Sequence, residues 1–158
     1  MLAAIDTSDP LFIQIRRALS RLVTKGVEPY WILDTTRELL DLGIVHDRAS
    51  KLGLPLDDEV RVEALVDVLS NHVNQLGSRS SSILLSTVLG LNDPTLLDLA
   101  AGQRRTLAGQ RFRGGRRTVT AGTIRQYHEP RALDQLASLL AAHEVQYQAN
   151  GPAPPLKD

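Results

Sequence analysis

Between Val62 and Leu76, apolar side chains recur at steps of three, one, three, four and three residues: Val62, Leu65, Val66, Leu69, Val73 and Leu76. Steps of three and four place residues on one helical face, whereas a strand needs steps of two. Ala64 and Val68 widen this seam towards the breadth of a core-facing surface. Asp57, Asp58 and Glu59 stand before it, at the end where a helix dipole favours negative charge. The spacing predicts a helix from Asp57 to Gln75 or Leu76, and one central to the fold.

Other stretches repeat the design. Asp9-Pro10 joins an N-cap to a proline suited to a first turn, before a stripe of Leu11, Ile15, Ala18, Leu19, Leu22 and Val23 and a stop at Gly26. Glu28-Pro29 predicts a second helix, with Trp31, Ile32, Thr35, Leu39 and Leu42 on one face and Gly43 as its stop. A short third helix fits His46 to Leu52. Ser78 to Ser82 reads as a loop or cap ahead of a buried helix through Ile83, Leu84, Leu85, Val88 and Leu89, closed by Gly90. Asn92-Asp93-Pro94 predicts one helix running through Leu96, Leu97, Leu99, Ala100, Leu107 and Ala108. A short helix fits Thr120 to Glu129. Pro130 then kinks the chain or opens a last helix that ends near Val145.

With aromatics at 4% and apolar residues at 42%, the core must be aliphatic. That favours an all-α multi-helix bundle of about seven or eight helices. Residues 1–90 are expected to form an acidic helical bundle, with a basic helix-turn-helix-like unit at 93–145 packed on it. Residues 146–158, with three prolines and a glycine, read as a disordered tail. The absence of cysteine excludes disulfides, thiolate-bound metals and thiol catalysis. The first ten residues lack a signal peptide's basic and apolar regions, and no apolar run is long enough for a transmembrane helix. A cytoplasmic protein, away from membranes, is expected.

The formal net charge of zero conceals a division. Residues 1–100 hold nine bases and fourteen acids, net −5; residues 101–158 hold nine bases and four acids, net +5. From Gln103 to Arg131 there are eight arginines and one acid, Glu129. Such a stretch predicts an anionic partner. The simpler reading is that the basic and acidic halves attract each other.

Within that stretch Ala108 suits the packing position of a first helix and Phe112 its apolar closure. Val119 suits a turn, Thr120 an N-cap and Ile124 an inward anchor. These residues, with Arg105 to Ala108, Val119-Thr120, Thr123-Ile124-Arg125 and Glu129-Pro130 followed by Leu133 and Leu136, resemble helix-turn-helix segments of actinobacterial regulators and multidomain accessory proteins. The resemblance implies DNA binding through a short second helix in the major groove, commonly as a dimer. It departs from the pattern in its turn: six residues, Arg113 to Thr118, stand where about one is usual. Arg113, Arg116 and Arg117 would then hold phosphates, Thr123, Arg125 and Gln126 would face bases, and Arg111 and Thr120 would complete the nucleic-acid-binding set.

Enzymatic patterns are weaker. Gly109 to Gly114 has phosphate-loop spacing, but Gly115 stands where that motif needs lysine. No serine has the Gly-x-Ser-x-Gly setting. His46, His72, His128 and His143 sit on different predicted helices without metal-pair spacing, and read as surface or partly packed residues. The sequence therefore predicts a non-enzymatic DNA-binding regulatory or accessory protein with no cofactor or metal. The alternative is a helical adaptor whose basic loop docks an acidic protein.

Overall fold

The computed structural model describes residues 5–53, 57–112 and 117–151. Every regular element among them is helical, and their order is α1 Pro10–Leu22, α2 Pro29–Thr35, α3 Arg37–Leu40, α4 Gly43–Lys51, α5 Asp58–Asn74 and α6 Arg79–Leu89. A 3-10 turn at Pro94–Asp98 follows, then α7 Ala101–Arg111, α8 Ala121–Thr123, a π turn at Ile124–His128 and α9 Glu129–Asn150. The last three run on without a break, so the described residues form eight helical rods, as the periodicity predicts.

The starts follow from side-chain chemistry. Asp9 accepts the Leu11 N–H at 2.8 Å, Asp57 the Val60 N–H at 2.9 Å, and Ser78 the Ser81 N–H at 3.2 Å. Each satisfies a donor that the first turn leaves without a helical partner. Gly90 ends α6 at φ +71, in the left-handed region where glycine avoids a Cβ clash.

The core is one aliphatic cluster. Leu19 and Leu22 from α1, Leu65 and Leu69 from α5, Leu84 and Leu85 from α6, and Leu136 and Leu140 from α9 are fully enclosed. Each such leucine contributes about 2 kcal/mol of hydrophobic stabilisation. Helix α5 touches α2, α3, α4, α6 and α9, whereas α9 packs on α1, α4, α5 and α6. Two helices therefore share the central place that the Val62–Leu76 seam predicts for one.

Four boundaries differ from the sequence reading. The predicted second helix breaks at Thr36, whose φ of −131 and ψ of 38 lie outside helical geometry. Gly43 begins α4 instead of ending its predecessor. The single helix expected after Pro94 is two elements, because Leu99 is extended (φ −92, ψ 146). Two side chains hold that break: Gln103 accepts the Ala100 N–H at 2.9 Å, and Arg104 donates to the Leu99 carbonyl at 2.6 Å. Finally, α9 continues to Asn150, so 146–150 is helix where a tail is expected; residues 152–158 lie outside the described part.

Gly43 and α9 explain each other. Leu42, at the N-cap of α4, offers no side-chain acceptor. The buried carboxylate of Glu144, on α9, supplies it, accepting the Gly43 and Ile44 N–H groups at 2.9 and 3.0 Å. A Cβ on Gly43 would lie 2.4 Å from the Tyr147 ring, so any other residue here would push that ring aside. Glu144→Ala is expected to cost about 1–3 kcal/mol, because two half-buried donors lose a charged acceptor. Urea unfolding checks it; a variant as stable as the parent would refute the capping role.

A histidine pair ties α5 to α9. His72 donates from Nδ1 to the Val68 carbonyl at 2.7 Å, leaving Nε2 to accept from Nδ1 of His143. Burial lowers the pKa of both imidazoles below the ordinary 6.5, and His143 lowers His72 further. The folded protein thus binds fewer protons than the unfolded chain below that pH. Stability present above about pH 6.5 is expected to fall on acidification. Denaturation midpoints at about pH 7.5 and pH 5 would show it, with a smaller drop for His143→Gln. A midpoint that stays constant or rises on acidification would contradict it.

Candidate nucleic-acid interface

Helix α7 delivers the chain to a corner built around Gly109. After Arg111 the backbone turns extended at Phe112, whose buried ring lies 4.5 Å from that of His128. The chain returns at Val119, whose N–H donates to the Gly109 carbonyl at 3.0 Å. A Cβ on Gly109 would stand 1.8 Å from the Val119 carbonyl oxygen. Glycine is therefore what allows the returning strand of backbone to lie on α7.

Thr120 then caps the next helix. Its Oγ1 accepts the Thr123 N–H at 3.2 Å and donates to the Thr123 hydroxyl at 3.0 Å. Ile124 points into the core and is fully enclosed. From Ile124 to His128 the helix widens, and the Glu129 N–H reaches back five residues to the Ile124 carbonyl. Pro130 gives the reason: it has no N–H to donate, and its ring would crowd the carbonyl four residues earlier. The expected short helix is consequently one turn of α and one of π, fused to α9 with no stop at Glu129.

The eight arginines divide by environment. Arg104 is only 1% exposed. Its guanidinium donates to the carbonyls of Val88 at 2.8 Å, of Leu99, and of Val23. Desolvation and the charge of Arg105 lower its pKa, against the pull of Glu129; a guanidinium stays protonated regardless. Arg105 forms a two-pronged pair with the buried carboxylate of Glu129 at 2.9 and 3.0 Å. These two arginines build the fold. Arg111, Arg117, Arg125 and Arg131 are exposed.

Among the sequence-predicted contacts, Arg111, Arg117, Thr120, Arg125 and Gln126 face solvent around the corner. Thr123 is half-buried, its hydroxyl engaged by Thr120. Arg113 and Arg116 lie outside the described residues. Sequence reasoning passed over Tyr127, which is 59% exposed. Helical spacing gave no signal for it: three residues after Ile124 it belongs on the same α-helical face, and the π turn shifts it outwards.

The ion pairs among the described residues are Arg16–Asp134, Arg21–Glu38, Arg37–Asp58, Arg48–Asp67, Lys51–Asp47 and Arg105–Glu129. None joins an arginine of residues 101–158 to an acid of residues 1–100. Among the described residues the charge division is therefore not cancelled by ion pairs between the basic and acidic halves.

Comparison with protein-family models, with curated proteins and with solved structures gives no match. Among the described residues no helix is long and apolar enough to cross a membrane.

Proposed function

We propose that the corner between α7 and α8 binds duplex DNA, and that the chain is a non-enzymatic regulatory or accessory protein. The observation that carries this reading is the set of exposed arginines, Arg111, Arg117, Arg125 and Arg131, that have no carboxylate partner among the described residues around a capped helix start. Arg111 and Arg117 grip phosphates, which position the protein without reading sequence. Arg125 and Gln126, on the exposed side opposite Ile124, are the side chains suited to base edges. The exposed helical surface before α9 is short, so affinity comes mainly from phosphates.

Two of the described arginines are used internally, and Arg111, Arg117, Arg125 and Arg131 are exposed. Phosphate contacts by Arg111, Arg117 and Arg131 would give a log–log salt slope of about −3. Duplex binding measured across a salt series is expected to show this slope. Arg111→Ala and Arg117→Ala should each reduce it by about one, and Arg125→Ala should also relax sequence preference. No duplex binding at low salt, together with a co-purifying acidic protein, would overturn the proposal in favour of a helical adaptor.

A further inference from the structure

A second surface complements the basic corner. Helices α2 and α5 bound an open groove of about 800 Å³. Its floor is apolar, formed by Leu33, Val62 and Val66, with Tyr30 on its wall 81% exposed. Its rim carries Glu59 and Glu63, both exposed and absent from the ion pairs of the described residues. A monomer gains nothing from holding a tyrosine in water beside uncompensated acids. An occupant would need an apolar side chain flanked by cations.

The chain carries such an element itself. Tyr127 is exposed, Arg131 stands one helical turn after it on the same side, and Arg125 is a second exposed cation of the same short stretch. Tyrosine and arginine are the residue types that anchor protein interfaces, and complementary charge steers the encounter. Helix α2 packs on α1, α3 and α5, whereas α8 packs on α7 and the π turn, so corner and groove occupy different parts of the surface. We propose that the α2–α5 groove binds the Tyr127 corner of a second copy of this chain. The contact is head-to-tail, leaving one groove and one corner open for further copies. It uses the arginines assigned above to DNA, so a copy engaged this way cannot hold a duplex with the same corner. The groove argument does not depend on the DNA reading.

Sedimentation velocity of the full chain tests the proposal. At about 0.05 M salt the mass should rise with concentration above the 17.3 kDa monomer, and at about 0.5 M salt it should return to it. A groove variant, Glu59→Lys with Glu63→Lys, and a corner variant, Arg125→Ser with Tyr127→Ser, change exposed side chains and should each weaken association about tenfold or more. Mixed in equal amounts, they retain one intact groove and one intact corner, and should stop at a one-to-one complex. A monomer at every concentration in low salt, or association untouched by the groove variant, overturns the proposal. Circular dichroism confirms that both variants are folded. Duplex binding is read separately, with Arg111→Ala and Arg117→Ala, whose failure to weaken it bears on the DNA reading alone.

Discussion

Replacing Gly109 with alanine is expected to cost about 2–4 kcal/mol of folding stability. Alanine normally favours a helix over glycine by up to about 1 kcal/mol, so the expected sign is opposite to the local propensity. The cause is contact with rigid backbone. The new methyl group would stand 1.8 Å from the Val119 carbonyl oxygen, and no rotamer can relieve that. The returning chain must move off α7, and the bond from the Val119 N–H to the Gly109 carbonyl breaks with it. Gly122→Ala is the control. Nothing lies within 4 Å of the Cβ it would add, so it should stabilise the protein by about 0.5–1 kcal/mol. Equilibrium urea unfolding of both variants decides the matter. A Gly109→Ala protein as stable as the parent would mean that the corner is not packed as described. In the duplex assay, Gly109→Ala should also lose binding, because Arg117 and Thr120 shift with Val119.

Arg104→Met should destabilise the fold by about 3–5 kcal/mol, although it keeps an unbranched stem of similar length. The loss is one of donors. Three carbonyls, at the end of α1, within α6 and at the Leu99 break, all accept from this one guanidinium. The bonds to Val88 and Val23 are buried, and an orphaned buried carbonyl costs about 1–3 kcal/mol. Arg104→Lys should recover only part of the loss, since an ammonium is a point donor and cannot span the fork. Urea midpoints for the two variants measure the difference. If Arg104→Met lies within about 1 kcal/mol of the parent, the guanidinium is not what joins α1, α6 and the 3-10 turn.

Arg104 also shows where reading the sequence goes astray. In the primary structure it is one more arginine in a basic stretch. Nothing local separates it from Arg111, because the difference is made by Val23 and Val88, brought to it from far along the chain. Arg105 is similar, claimed by Glu129 across the corner. The exposed members of the stretch were legible, since their lack of a partner is what a sequence with a single nearby acid leads one to expect.

The histidines teach the complementary lesson. His72 and His143 are seventy-one positions apart and sit on separate helices, so no spacing rule could join them. Glu144 is the same case. A cap normally lies next to the helix it serves, and the one for α4 comes from α9.

Local chemistry, legible residue by residue, determined the helical class, the aliphatic core, the caps at Asp9, Asp57, Ser78 and Thr120, the inward Ile124 and the charge division. Each depends on interactions within about four residues, or on amounts of each residue type. Tertiary packing alone decided the breaks at Thr36 and Leu99, the role of Gly43, the π turn's continuation into a long final helix, and the drawing of Arg104 and Arg105 into the fold. Those depend on which distant carbonyl or carboxylate arrives at a side chain, and that is fixed only when the aliphatic faces have closed on one another.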